Sequence, residues 1–173
     1  MGKIKTARLL LKPATFEDLT ALNEIHEQVK EFFYFDPSHT SVTPVKCLEE
    51  GDLPPGGVKE NYAIYTINEN NIVIGYFDFY KGFPQKGIAY ISLMFISTNK
   101  RKYGYGKEVV DAVCKYIKKS GINEVRLAVS LKNWSGLKFW YKCGFDKITL
   151  VSGDKVFSLK GYGCLELKKS LDE

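Results

Sequence analysis

The chain has 173 residues, a formal net charge of +5, 45% apolar residues and 14% aromatic residues. That is apolar material for one sizeable core and excludes a disordered chain; no run approaches the roughly 18 uninterrupted apolar residues of a membrane span, and MGKIKTARLL lacks a signal peptide's apolar segment. One domain over residues 1–173, soluble and cytoplasmic, is the expectation, with neither membrane nor nucleic acid as partner because the lysines are scattered rather than gathered in a stripe.

Cys47, Cys114, Cys143 and Cys164 are far apart, form no C-x-x-C, and have only His26 and His39 as further soft ligands. No metal is therefore expected. The thiols read as reduced and packed as small apolar groups.

In chain order, Ala7 to Lys12 reads as a first strand closed by Pro13. Thr15 caps a helix, with Asp18 three residues on and Leu19, Leu22, Ile25, Val29 and Phe32 at helical spacing. From Phe33 to Glu60 the periodicity fades into the turn chemistry of DPSHTSVTP and GDLPPGG, and this irregular segment is expected to face an acceptor. Asn61 to Ile67 and Ile72 to Tyr80 flank NENN as a hairpin, and Gly87 to Ser97 is a long apolar strand of central character.

Tyr105 to Ser120 places Val109, Val113, Tyr116 and Ile117 on one face and Lys107, Glu108, Asp111, Lys115 and Lys118 on the other, which predicts a helix ended by Gly121. Glu124 to Ser130 alternates as a strand. Ser135 to Cys143 is a short helix closed by Gly144, and Phe145 to Val151 with Val156 to Leu167 form a final antiparallel pair. Strand, helix, strand between antiparallel neighbours means a mixed, mostly antiparallel sheet in an α+β domain.

The segment RKYGYG, Arg101 to Gly106, joins the apolar strand to the long helix. A loop at a helix start offers unpaired NH groups and the positive end of the helix dipole, and Gly104 and Gly106 permit close approach of an anion. Lys100, Arg101, Lys102 and Lys107 add positive charge around it. A dinucleotide fingerprint is excluded, since its third glycine falls on Val109.

With these residues in place the chain resembles the GNAT superfamily of acyl-CoA-dependent N-acyltransferases. The strand LMFIS running into RKYGYG matches the family's pyrophosphate pattern, and a helix follows at once. NWSGLKFWYKCGF, Asn133 to Phe145, matches a second family segment, and TARLLLKPATFEDLTAL is similar to the first strand and helix. The matches run in family order from about Thr6 to about Lys169.

The resemblance implies a sheet splayed open between the fourth and fifth strands, Gly87 to Ser97 and Glu124 to Ser130, with acetyl-CoA as acyl donor in the opening. The main chain of Met94, Phe95 and Ile96 would hold the pantetheine; Arg101, Lys102, Tyr103, Gly104, Tyr105 and Gly106 the pyrophosphate; Asn133 and Trp140 would contact the arm. The implied reaction is acetyl transfer to a primary amine of a small molecule or protein by direct attack on the thioester, with a strand NH near Ile96 stabilising the carbonyl oxygen. A non-catalytic acyl-CoA binding module is the alternative. The acyl length stays open, as does the choice between monomer and homodimer.

Two positions depart from the family. Tyr90 stands where many members carry a glutamate base, and a phenol is a poor base at neutral pH. Ser92 could order a water there, and Asp78, or Glu24 and Glu27, are carboxylates to consider. Trp140 stands where a tyrosine acid is usual; Tyr141 is the next residue, about 100° around the helix.

Overall fold

The computed structural model describes residues 2–29, 42–156 and 161–172. A short β1 (Ile4–Lys5) turns back into β2 (Leu10–Pro13), so the predicted first strand begins three residues late and includes Pro13, paired with Tyr65. Thr15 donates its NH to Asp18 Oδ2 at 3.0 Å in the predicted capping box, and a 3-10 turn at Phe16–Asp18 leads into α1 (Leu19–Gln28). The expected position of Phe32 lies outside the described residues.

Within the segment read as irregular, α2 (Pro44–Glu49) is a helix. Thr43 caps it by accepting from Lys46 N, and Pro44 occupies its first turn, where a missing NH costs nothing. The Thr43-Pro44 pair thus starts a helix rather than making a turn. Cys47 is buried on this helix against α1.

The hairpin forms as β3 (Tyr62–Glu69) and β4 (Ile72–Lys81), with Asn70 and Asn71 in the left-handed region at φ 49° and 66°. The long central strand is broken in two, β5 (Ile88–Ile91) and β6 (Met94–Ile96). Then come α3 (Tyr105–Lys118), β7 (Glu124–Ser130), α4 (Trp134–Lys142), β8 (Lys147–Gly153) and β9 (Gly163–Ser170).

The sheet runs β1-β2-β3-β4-β5-β7-β9-β8, with β6 paired to β4. Among the described strands only β5 and β7 are parallel, as the intervening α3 requires. Two apolar layers cover the sheet. Phe77, Phe79, Ile91, Val109, Val113, Leu127 and Phe145 form the layer under α3 and α4, while Leu22, Ile25, Cys47, Tyr76, Tyr80 and Leu93 form the layer under α1 and α2. All four cysteines are buried and none forms a disulfide. No helix among the described residues is long and apolar enough to cross a membrane.

Candidate active site

The site begins with one extra residue. Tyr80 pairs with Tyr90, but Phe77 pairs with Met94, so the register slips by one and Ser92 and Leu93 stand together opposite Asp78. The Asp78 carboxylate accounts for this bulge: Oδ1 accepts from the NH of Ser92 at 3.1 Å and of Leu93 at 2.8 Å, and Oδ2 accepts from the Tyr62 hydroxyl at 2.8 Å. Asp78 is 0% exposed, and burial pushes its carboxyl up to about 7 against the opposing pull of those three donors. A charged residue among aromatics is expected to face solvent or a polar cleft; Asp78 does neither, because the bulge supplies its partners.

A bulged strand bends, and here it bends away from β7. β5 stays paired with β7 through Ile91 and Leu127, whereas β6 pairs only with β4. The opening is a cleft of about 410 Å³ between Ser92–Ile96 on one side and Leu127–Ser130 on the other, roofed by α4. This is the splay that the resemblance implies.

Ladder alternation decides which groups face the cleft. Ser97 N donates to Ile74 O, and Asp78 N donates to Leu93 O, so the odd residues of this stretch bond to β4. The NH groups of Met94 and Ile96 therefore point toward β7. Phe95, expected to offer its main chain too, does not: its register opposite Tyr76 turns that main chain to β4, and its ring lies edge-on to Tyr76 at 5.4 Å.

The cleft runs on into the glycine loop. Arg101 lines it and donates Nε to Ile96 O at 3.0 Å, tying strand end to loop. Lys102 at φ 67° and Gly104 at φ 85° curl the backbone into the start of α3, whose first-turn NH groups lack carbonyls four residues back. Lys102 and Gly106 face the cleft, while Tyr103 is exposed and Tyr105 packs into the core. Gly106 has a further reason to be glycine: a Cβ there would stand 2.9 Å from the Phe139 ring of α4. The lysines are less free than their sequence suggests, since Lys100 pairs with Glu69 and Lys107 with Asp111, both at 2.6 Å.

On the opposite wall, Asn133 caps α4. Its Oδ1 accepts from Gly136 N at 2.8 Å and from Ser135 Oγ at 3.0 Å, which leaves the amide Nδ2 as the group to donate into the cleft it lines. Trp140 also lines the cleft, wedged edge-on between Phe139 at 4.9 Å and Phe145 at 5.2 Å. Tyr141, considered as an acid, is 67% exposed and is not among the residues that line the cleft, as a step of about 100° around α4 dictates.

Tyr90 faces away from the cleft's apolar layer, toward Phe83 at 5.5 Å and the Glu166 carboxylate. Burial and that carboxylate push its phenol well above the ordinary value. Glu166 is itself held by Arg126 Nη1 at 3.1 Å and Thr149 Oγ1 at 2.5 Å. Glu24 and Glu27 are exposed on α1 and line neither this cleft nor the smaller cavity beside it.

Three contributors carry little or no signal in the sequence. Arg8 donates Nη1 to Tyr103 O at 3.0 Å, pairs with Glu108 at 2.7 Å, and lies 4.4 Å over the Tyr105 ring, so it clamps the glycine loop to the N-terminal strands. Gln28 Oε1 accepts from Ser97 Oγ and Thr98 N, fixing the far end of β6 to α1. Phe139 packs on Gly106. Only the glycine at position 106 carries any local sign of these contacts.

An open mixed sheet, parted by a bulge beside a helix-start glycine loop, defines an acyltransferase fold. The model of the acetyltransferase (GNAT) family matches residues 22–145, and the chain belongs to that family. It is similar to a GNAT-family acetyltransferase from Bacillus anthracis (18% identity, 99% of each chain covered, TM-score 0.73). Similar too are an acetyltransferase from Thermus thermophilus (18% identity, 95% and 98% covered, TM-score 0.69) and the ribosomal-protein-S18-alanine N-acetyltransferase from Escherichia coli (11% identity, 95% of each covered, TM-score 0.69). No curated protein sequence matches significantly.

Proposed function

We propose that the protein transfers an acetyl group from acetyl-CoA to a primary amine by direct attack on the thioester, in the cytoplasm, where its four buried cysteines, joined in no disulfide, stay reduced. The observation that carries this reading is the exposed edge of β6, with the NH groups of Met94 and Ile96 aimed into a cleft that ends at the glycine loop of α3. A pantetheine amide can take the Ile96 NH as an added strand does, which leaves the Met94 NH for the thioester end, and the loop's first-turn NH groups suit the pyrophosphate. Asn133 Nδ2 donates to the arm, and Trp140 packs beside it.

Travelling from Arg101 past Ile96 and Met94, the cleft reaches its inner end at Ser92, so the thioester belongs there. The amine attacks the thioester carbon; the C–N bond forms, the C–S bond breaks, and CoA leaves as thiolate. Charge building on the carbonyl oxygen is met by the Met94 NH, held in place because the neighbouring Leu93 NH is anchored on Asp78. The amine's proton passes to water ordered at Ser92. Among the described cleft-lining residues the titratable groups are Lys100, Arg101 and Lys102, all toward the pyrophosphate end, so the thiolate takes its proton from solvent.

Calorimetry with acetyl-CoA and with CoA tests the donor, and thiol release across a panel of amines tests the transfer. Both nucleotides are expected to bind, with release of CoA for at least one amine. No binding of either at millimolar concentration would sink the proposal.

A further inference from the structure

A second cavity, of about 220 Å³, opens on the α1 and α2 side of the sheet and shares Ser92 with the cleft. Ser92 stands at the inner end of the cleft, where the reading above puts the thioester. Tyr80, Phe83 and Tyr90 wall it, and Phe83 stands edge-on to Tyr90 with an interplanar angle of 72°. Leu53 closes another side. Asp52 is the one charged side chain among the described residues that line it, and its field reaches the buried Asp78.

We infer that this cavity is the acceptor subsite and that it selects a short aliphatic primary amine, captured as its ammonium by Asp52 and by the aromatic faces. The inference rests on the acetyl-transfer reading above and adds the substrate class to it. Three arguments favour a cation. A lone carboxylate in a half-buried cavity repels carboxylate-bearing acceptors, aromatic faces attract ammonium groups, and an apolar wall suits methylenes. Size favours a short acceptor, since the cavity has about half the volume of the cleft.

The anchored ammonium must shed a proton before it attacks. That proton passes to the water at Ser92 and on to solvent. No oxidant, metal or further reactant is needed for that step.

The experiment compares n-pentylammonium with 1-pentanol, equal in length and different in charge, by calorimetry on the protein with and without CoA. The ammonium is expected to bind about tenfold more tightly, the combined scale of a part-buried ion pair and a cation–π contact. In Asp52→Asn that preference should fall to about threefold while CoA affinity stays unchanged; in Phe83→Ala, which removes a wall and one aromatic face and leaves the charge, both probes should weaken, the ammonium the more. Equal affinity for the two probes, binding of neither, or a preference that Asp52→Asn leaves unchanged overturns the assignment. Failure of CoA to bind, with the ammonium preference intact, instead overturns the acetyl-CoA reading.

Discussion

Asp78 shows how much one side chain can decide. Its carboxylate replaces the partner that the NH groups of Ser92 and Leu93 lose when the register slips, and Tyr62 occupies the remaining oxygen. The ordinary value of 3.8 rises to about 7 because burial outweighs those donors. The folded chain thus holds the proton more tightly than the unfolded one, and the stability this confers is complete below about pH 4 and lost as pH climbs through about 7. Asp78→Asn keeps an acceptor for the bulge and abolishes the titration. Urea melts at about pH 4.5 and pH 8 should show the stability of wild type relative to the variant dropping by on the order of 2–4 kcal/mol at the higher pH. Parallel behaviour of the two proteins would mean that the carboxylate is not titrating in the fold. Position 78 is legible in the sequence as an oddity among aromatics, but its partners lie fourteen and fifteen residues away across a strand pair, and no local pattern encodes that register.

Among the elements, those with one strong period are readable from the sequence. The β7 strand has the bounds expected from its alternation, and α3 begins where the amphipathic pattern begins. The α2 helix is hidden because Thr43 and Pro44 serve equally as turn residues and as a cap with its first-turn proline; burial of Cys47 against α1 decides for the helix. The glycine loop is visible as a motif, yet the Arg8 clamp that shapes it joins residues ninety-five positions apart. Gly104 is where this element is most exposed to substitution. At φ +85° a side chain costs roughly 1–2 kcal/mol in backbone strain, and an aspartate adds negative charge beside the proposed phosphate site. Gly104→Asp is expected to weaken CoA binding at least about a hundredfold, and Gly104→Ala distinctly less, with circular dichroism unchanged in both; calorimetry that finds the aspartate variant binding like wild type would refute the cradle.

At the scale of the whole molecule, the sheet is two blocks joined at one short parallel seam, Ile88–Ile91 against Glu124–Leu127. Everything beyond that seam is cleft, so the donor site is as rigid as the bulge on one side and the β7–β9 pairing on the other. No cysteine, histidine, tyrosine or carboxylate lines the cleft among its described residues. A rate limited by deprotonation of the acceptor should therefore rise with pH and level off. Thiol release followed from about pH 6 to pH 9.5 is expected to show no alkaline decline, whereas a fall below about pH 9 would reveal an acid supplied by the protein.

The extra residue at Ser92 also exchanges the two faces of the strand. Before it, the odd-numbered side chains Ala89 and Ile91 join the layer under α3; after it, Met94 and Ile96 do so, and Leu93 and Phe95 pass to the α1 side. A chain lacking Ser92 would have no slip to absorb, and its fifth strand could continue straight along β7 as an ordinary parallel pair. The opening is thus a matter of length mismatch: one strand is a residue too long for its neighbour, and a single carboxylate makes that surplus permanent.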